Sequence, residues 1–359
     1  MHDLTPTAAG SAAPTSAPVV SALVVAPLRI VVMGTGPFAV PMFESLRASP
    51  HTIVAVVTRP DRAAAGRRPP VNPMRAAAVA AGVPVLDPPR INDAESRAEI
   101  GRLAADLLVV CDYGQILAPE VLALAPLGGI NLHGSLLPRH RGAAPVQWAI
   151  LEGDAVTGVS VIHMTPALDA GAVIAVRATP IGPRETAPQL EHRLAELGAG
   201  AVLEAIERLQ AAVAVRAAAD SSSAGVTVGT AQDPAQVTRA PRLTKADGIV
   251  NWSLPAVRIE RMRRALEPWP RTTTFLARGA DEPPLRLVLE DVAEVDGMAG
   301  ASQQAAPGTV VAADETGIVV ACGSGTALAI TRLVPEGRRG MSAAEFLRGH
   351  GVRPGTRLG

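Results

Sequence analysis

Short apolar runs alternate with helically spaced segments through the first half of this chain, and that alternation limits what it can fold into. Leu28–Met33 is one such run and ends at Gly34-Thr35-Gly36. Thr52–Val57, Asp106–Cys111 and the run opening at Gly129-Ile130-Asn131-Leu132 repeat the pattern, with Val83–Leu86 as a shorter member. Phe38 to Arg47, residues 74–82 and Ala94 to Ala104 have helical spacing between them. Strands alternating with helices predict an α/β domain with a mainly parallel, Rossmann-like sheet. Runs that are apolar throughout fit strands covered on both faces. Val159–His163 and Val173–Val176 are expected to pair as a hairpin, and Pro188 to Val213 reads as a long amphipathic helix closing the domain.

The remainder is different in kind. Residues 217–236 are rich in Ala, Ser, Gly and Thr around Ser221–Ser223 and read as a linker. Beyond it, Ile249–Trp252 is expected as a strand and Val257–Leu266 as a helix. Short strands follow at 285–292, 308–313, 317–322 and 326–333, separated by Gly and Pro. That rhythm predicts a smaller, OB-like β-barrel. The expected organisation is therefore an extension at 1–27, an α/β domain at 28–216, a linker at 217–236 and a β-barrel domain at 237–359. Residues 1–27 carry no Lys or Arg, so no basic region precedes the apolar stretch Val19–Ala26. They are expected to be a disordered extension, or the product of a start codon assigned too far upstream, and not a secretory signal. The stretch is too short to span a bilayer.

Hydrophobic residues make up 48% of the 359 and aromatics only 2%, so both cores must be built from Ala, Val, Leu and Ile. Cys111 and Cys322 sit apart among apolar neighbours and read as buried free thiols of a reducing, cytoplasmic setting. Zero net charge excludes a global field that attracts nucleic acid, but it hides two opposed segments. Residues 239–271 hold eight basic side chains against three acidic ones; residues 281–296 hold six acidic against one basic.

Chemistry concentrates at Asn131-Leu132-His133-Gly134-Ser135, with a carboxylate at Asp169 in Leu168-Asp169-Ala170-Gly171. An amide, an imidazole and a carboxylate can stabilise an oxyanion, move a proton and orient the imidazole, the three tasks of acyl-type transfer. The continuation Ser135 to Pro145 carries prolines, glycines and arginines beyond what a connector needs, and reads as a shaped loop lining a site. No His or Cys pair has metal-ligand spacing, and no G-x-S-x-G occurs. One rival remains. Gly34-Thr35-Gly36-Pro37-Phe38-Ala39 fits the loose dinucleotide fingerprint. The second strand ends Thr58-Arg59-Pro60-Asp61 with no acid at its tip, although Arg59 could meet a 2′-phosphate. A plain tight turn opening a helix accounts for the same glycines.

From Arg29 onward the chain resembles the methionyl-tRNA formyltransferases. The resemblance rests on Arg29–Pro41, Val54–Arg62, Asn131–Arg139, Arg141–Pro145 and Leu168–Gly171, and in the second half on Ala240–Trp252, Pro268–Pro270 and Gly340–Gly349. It implies transfer of the formyl group of 10-formyltetrahydrofolate to the α-amine of methionyl-initiator tRNA. It maps the catalytic amide, imidazole and carboxylate to Asn131, His133 and Asp169, and donor binding to Ser135, Leu136, Leu137 and Pro138. Contacts to tRNA are expected from Arg67, Arg68, Lys245, Arg261 and Arg264. A monomer with no metal and no membrane partner is implied. Two positions depart from the family: His140 stands where Trp is usual, and the loop after Asp61 is shorter and richer in Ala.

Overall fold

The computed structural model describes residues 26–61, 71–218, 228–278, 282–295 and 304–359. The extension at 1–27, apart from its last two residues, and Arg67 and Arg68 lie outside them.

The first domain is a seven-stranded sheet. Its strands are β1 (Arg29–Gly34), β2 (Thr52–Val57), β3 (Val85–Leu86), β4 (Leu107–Cys111), β5 (Gly129–His133), β7 (Val156–His163) and β8 (Val173–Pro180), in the order β3-β2-β1-β4-β5-β7-β8. The first five are parallel; β7 runs antiparallel to β5 and forms the expected hairpin with β8. Strand β4 is buried along its whole length. That burial is why its run is apolar and not alternating, because helices cover both faces. On one face lie α1 (Val40–Arg47) and the long α6 (Ala187–Ala218), packed over Ile30, Val32, Val109, Ile130 and Leu132. On the other, α3 (Ala94–Arg102) and α4 (Pro119–Leu122) contribute Ile100 and Val121 to a cluster with Val31, Met33, Leu108 and Val110. Phe43 on α1 is fully buried in this aromatic-poor core. Two further helices serve the edges. The Asn72 side chain accepts from the Arg75 N–H and caps α2 (Pro73–Ala80), while α5 (Pro145–Glu152) ends at Gly153 in the left-handed conformation.

The second domain is an antiparallel sheet that curls on itself. Its strands β10 (Thr273–Leu276), β11 (Leu285–Glu294), β12 (Val310–Asp314), β13 (Gly317–Ala321) and β14 (Ala327–Pro335) run in the order β10-β11-β14-β13-β12, with β15 (Met341–Ser342) beside β14. The chain's last residues stand between the two edge strands. Leu276 bridges Leu358, and Thr309 bridges Arg357. The Leu358 N–H donates to Gly308 O at 2.8 Å and the Gly359 N–H to Phe275 O at 2.9 Å. The terminus thus satisfies strand edges that would otherwise be open to pairing with another chain. Helices α7 (Ala256–Ala265) and α8 (Ala343–Gly349) pack onto this sheet, and Phe346 is fully buried there. Ile249–Trp252 is not a strand: Ile249 makes one isolated bridge to Thr273, and Trp252 is a core residue whose indole N–H donates to Thr274 Oγ1 at 3.0 Å.

Helix α7 docks on α5 and ties the domains together. Arg258 donates to Leu151 O at 2.7 Å. Arg264 donates to Glu260 at 2.7 Å and to the Glu185 carbonyl at 3.0 Å. Arg264 is only 8% exposed, so this expected tRNA contact is a junction residue, its charge answered inside the protein. Arg261 is half-buried beside Gly153, near the Glu152 carbonyl. Among the described residues, no helix is long and apolar enough to cross a membrane. Both cysteines are free and buried.

Candidate active site

Strand β5 sits between a parallel neighbour and an antiparallel one, and its residues Asn131 and His133 share a face because strand side chains alternate. His133 is 6% exposed. Its Nε2 lies 2.9 Å from the His140 carbonyl oxygen, which can only accept, so Nε2 carries the proton in the neutral ring. Nδ1 then presents its lone pair toward Asp169 Oδ2, 3.7 Å away. Asp169 comes from the turn between β7 and β8 and has a left-handed backbone, φ 50°. Its carboxylate accepts from the Gly142 N–H at 2.9 Å. Asn131, half-buried, completes the trio on the same strand.

Two glycines make this geometry possible. Gly142 lies in the two-residue strand β6 (Arg141–Gly142), which pairs with β9 (Arg239–Ala240) from the far side of the linker. It adopts φ 131°, and a Cβ there would stand 2.4 Å from the Ala240 carbonyl oxygen. A Cβ on Gly171 would stand 1.8 Å from His163 O. Only glycine lets these backbones approach so closely while Asp169 is held between them.

Burial holds the His133 imidazole below its ordinary pKa of 6.5. Asp169 and the His140 carbonyl oppose that shift, and the neighbouring His140 ring adds to it. A buried His133 is therefore neutral at neutral pH and able to take a proton. If it acts as base, activity should fall as pH drops through the depressed pKa of the ring. An NMR pH titration of the His133 imidazole in the free enzyme checks the depression; a midpoint above 6.5 would contradict it.

The Ser135–Pro138 segment is tied down by Ser160 of β7, whose hydroxyl donates to Ser135 O at 2.8 Å and accepts from the Leu137 N–H at 3.0 Å. The Ser135 hydroxyl donates to Arg139 O at 2.7 Å and is fully buried. These polar atoms are engaged within the protein. What the segment offers a ligand is shape, from half-buried Leu136 and Pro138 flanking buried Leu137.

His140 is buried and left-handed, φ 58°. Its Nε2 meets Asp154 Oδ2 at 2.7 Å, and Arg139 pairs with the other oxygen of the same carboxylate. Its contribution to the site is the backbone carbonyl that holds His133.

Sequence reading missed a pair of carboxylates. Asp112 follows β4, and its side chain lies against Gly36, where a Cβ would stand 1.9 Å from its Oδ2. Glu191 of α6 accepts from Gln147 at 2.7 Å. Burial raises the pKa of both, opposed at Asp112 by the Gly36 N–H and Arg242 and at Glu191 by Gln147. The turn that carries Gly36 also brings Phe38 against Gly134, so these acids border the same cleft at the carboxyl ends of β1, β4 and β5. They also weigh against a dinucleotide site. The Thr35 N–H is taken by the Asp112 carbonyl and the Gly36 N–H by its carboxylate, where a pyrophosphate would need free donors.

A family model described as formyl transferase matches residues 28–206, and one described as formyl transferase, C-terminal domain, matches residues 242–351. A methionyl-tRNA formyltransferase of Rhodopirellula baltica is 46% identical over 336 residues, covering 92% of this chain and 96% of the relative. One of Geobacter sulfurreducens is 39% identical over 333 residues, covering 92% and 97%. The chain belongs to the methionyl-tRNA formyltransferase family. Among solved structures, the fold resembles HypX from Aquifex aeolicus in complex with tetrahydrofolic acid (TM-score 0.55, 16% identity, 89% of this chain and 47% of that one). It also resembles the sugar 3N-formyl transferase WlaRD (TM-score 0.57, 13% identity, 87% and 99%). Like other members of the methionyl-tRNA formyltransferase family, the chain is a formyl-transferring enzyme. Among the described residues no cluster of His, Cys, Asp or Glu could hold a metal ion.

Proposed function

We propose that this enzyme moves the formyl group of 10-formyltetrahydrofolate to the α-amine of methionyl-initiator tRNA, with Asn131, His133 and Asp169 as its chemical centre. The observation that carries the reading is the His133–Asp169 arrangement two residues from Asn131, in a chain that matches 96% and 97% of the length of two formyltransferase relatives. As the amine attacks the formyl carbon, negative charge grows on the formyl oxygen. The Asn131 carboxamide N–H supports that charge. His133 Nε2 is committed to the His140 carbonyl, so the ring's free nitrogen, Nδ1, receives the proton leaving the amine. Asp169 then faces an imidazolium, which offsets the cost of charging a buried ring. Returning that proton to the leaving nitrogen of the donor completes the exchange. The test is incubation with both substrates followed by hydrolysis of the ester: N-formylmethionine is expected, and unmodified methionine would refute the reading.

The acceptor's phosphates need free cations near this cleft. Arg258, Arg263, Arg264 and Arg271 are bound to acidic side chains or carbonyls. Arg239, Arg242 and Lys245 are exposed, and Arg242 also acts on the buried Asp112 carboxylate. Arg239 lies beside β6, since β9 pairs with β6, and Arg242 and Lys245 follow it within six residues of chain. These three are the favoured phosphate contacts, in place of Arg264. Replacing all three with Ala should lower the slope of log affinity for tRNA against log salt by roughly three. An unchanged salt slope would remove them from the interface.

A further inference from the structure

The segment after α6 does more than join two domains. Thr230 and Val173 exchange both backbone hydrogen bonds, at 2.9 and 2.8 Å, so the segment is seated on the edge of β8. Two residues later the Gln232 amide is fully engaged. Its Oε1 accepts from Arg141 Nε at 3.0 Å and Nη2 at 2.6 Å. Its Nε2 donates to Asp169 O and to Gly171 O, both at 2.8 Å. Further on, Thr238 Oγ1 accepts from the His140 N–H at 2.8 Å, and β9 pairs with β6.

One side chain therefore grips both halves of the bond that holds the Asp169 carboxylate. Through two carbonyls it fixes the turn carrying Asp169, whose backbone is left-handed. Through Arg141 it fixes the strand whose next residue, Gly142, supplies the N–H to Asp169 Oδ2. We propose that Gln232 is a positioning residue that sets the Asp169 carboxylate against His133, making the segment from Val228 to Ala240 part of the catalytic unit. This rests on the reading of Asp169 as the partner of His133.

Gln232→Ala and the isosteric Gln232→Glu test it. Glu keeps an acceptor for Arg141 but sets a carboxylate against two carbonyl oxygens that need donors. A displacement of about 1 Å at a reacting group costs up to ~10²-fold, so each variant should lower kcat ~10–100-fold. KM for the donor should stay within about threefold, since the Ser135–Pro138 segment is held separately by Ser160. A role confined to anchoring the linker through Arg141 would leave Gln232→Glu near normal, and that result overturns the proposal. A double-mutant cycle gives the second readout. If Gln232 works through Asp169, adding Gln232→Ala to Asp169→Ala should slow kcat less than about twofold further. Full multiplication of the two losses would also overturn the proposal. Near-normal turnover by Asp169→Ala alone is a different failure, because it removes the reading of the site on which the proposal stands.

Discussion

His133→Ala is expected to lower kcat for formyl transfer ~10²–10⁴-fold, the range for removing a positioned general base. The reason lies in where the ring is held. Its Nε2 is fixed by the His140 carbonyl, so Nδ1, which faces Asp169, is the ring nitrogen placed to receive the amine's proton. The His140 ring is turned away onto Asp154. A His133→Gln variant separates the proton-accepting role from a space-filling one. Gln can donate to the His140 carbonyl but cannot be protonated, so it should rescue stability and not turnover. Single-turnover rates at saturating substrates, with a thermal midpoint for each variant, check both. Near-normal turnover in either variant would contradict the assignment.

Asn131→Ala is expected to lower kcat ~10²–10³-fold, the typical cost of losing one oxyanion donor. Asn131→Asp should be at least as damaging, because it keeps the shape and sets a negative charge against the growing oxyanion. The two variants differ in pH behaviour: protonating the new carboxyl restores a donor, so the rate of Asn131→Asp relative to Asn131→Ala should rise toward acid pH, on top of the loss that both share as His133 is protonated. A single-turnover series across pH shows which occurs. Equal, pH-independent losses would mean that Asn131 acts by packing alone.

Much of this was legible before any coordinates. The apolar runs of β1, β2, β4 and β5 marked a parallel sheet because burial on both faces leaves no polar positions. The expectation that His133 and Asp169 share a site came from their residue types, and the structure sets the two face to face across more than thirty residues of chain. Other features had no local signal. The short strand β10 was hidden behind turn residues, and α8 is a seven-residue helix fixed by a Ser342–Glu345 capping box and by burial of Phe346, not by a repeating apolar face. Arg264 looked like any basic residue of a charged helix, and only packing of α7 on α5 shows that it is internal. Gln232 sat in a stretch whose composition reads as connector. Its four hydrogen bonds reach residues about sixty and ninety positions away, and nothing in its neighbours announces them. Asp112 was concealed by its place at the end of an apolar strand.

The most direct measurement compares kcat/KM for formyl transfer from 10-formyltetrahydrofolate to methionyl-initiator tRNA with that to glycinamide ribonucleotide. The expected result is efficient transfer to the tRNA, lowered ~10²–10⁴-fold in His133→Ala, and none to the ribonucleotide. Transfer to the ribonucleotide with none to the tRNA would contradict the acceptor assigned to this chain, while leaving its formyl-transfer chemistry in place.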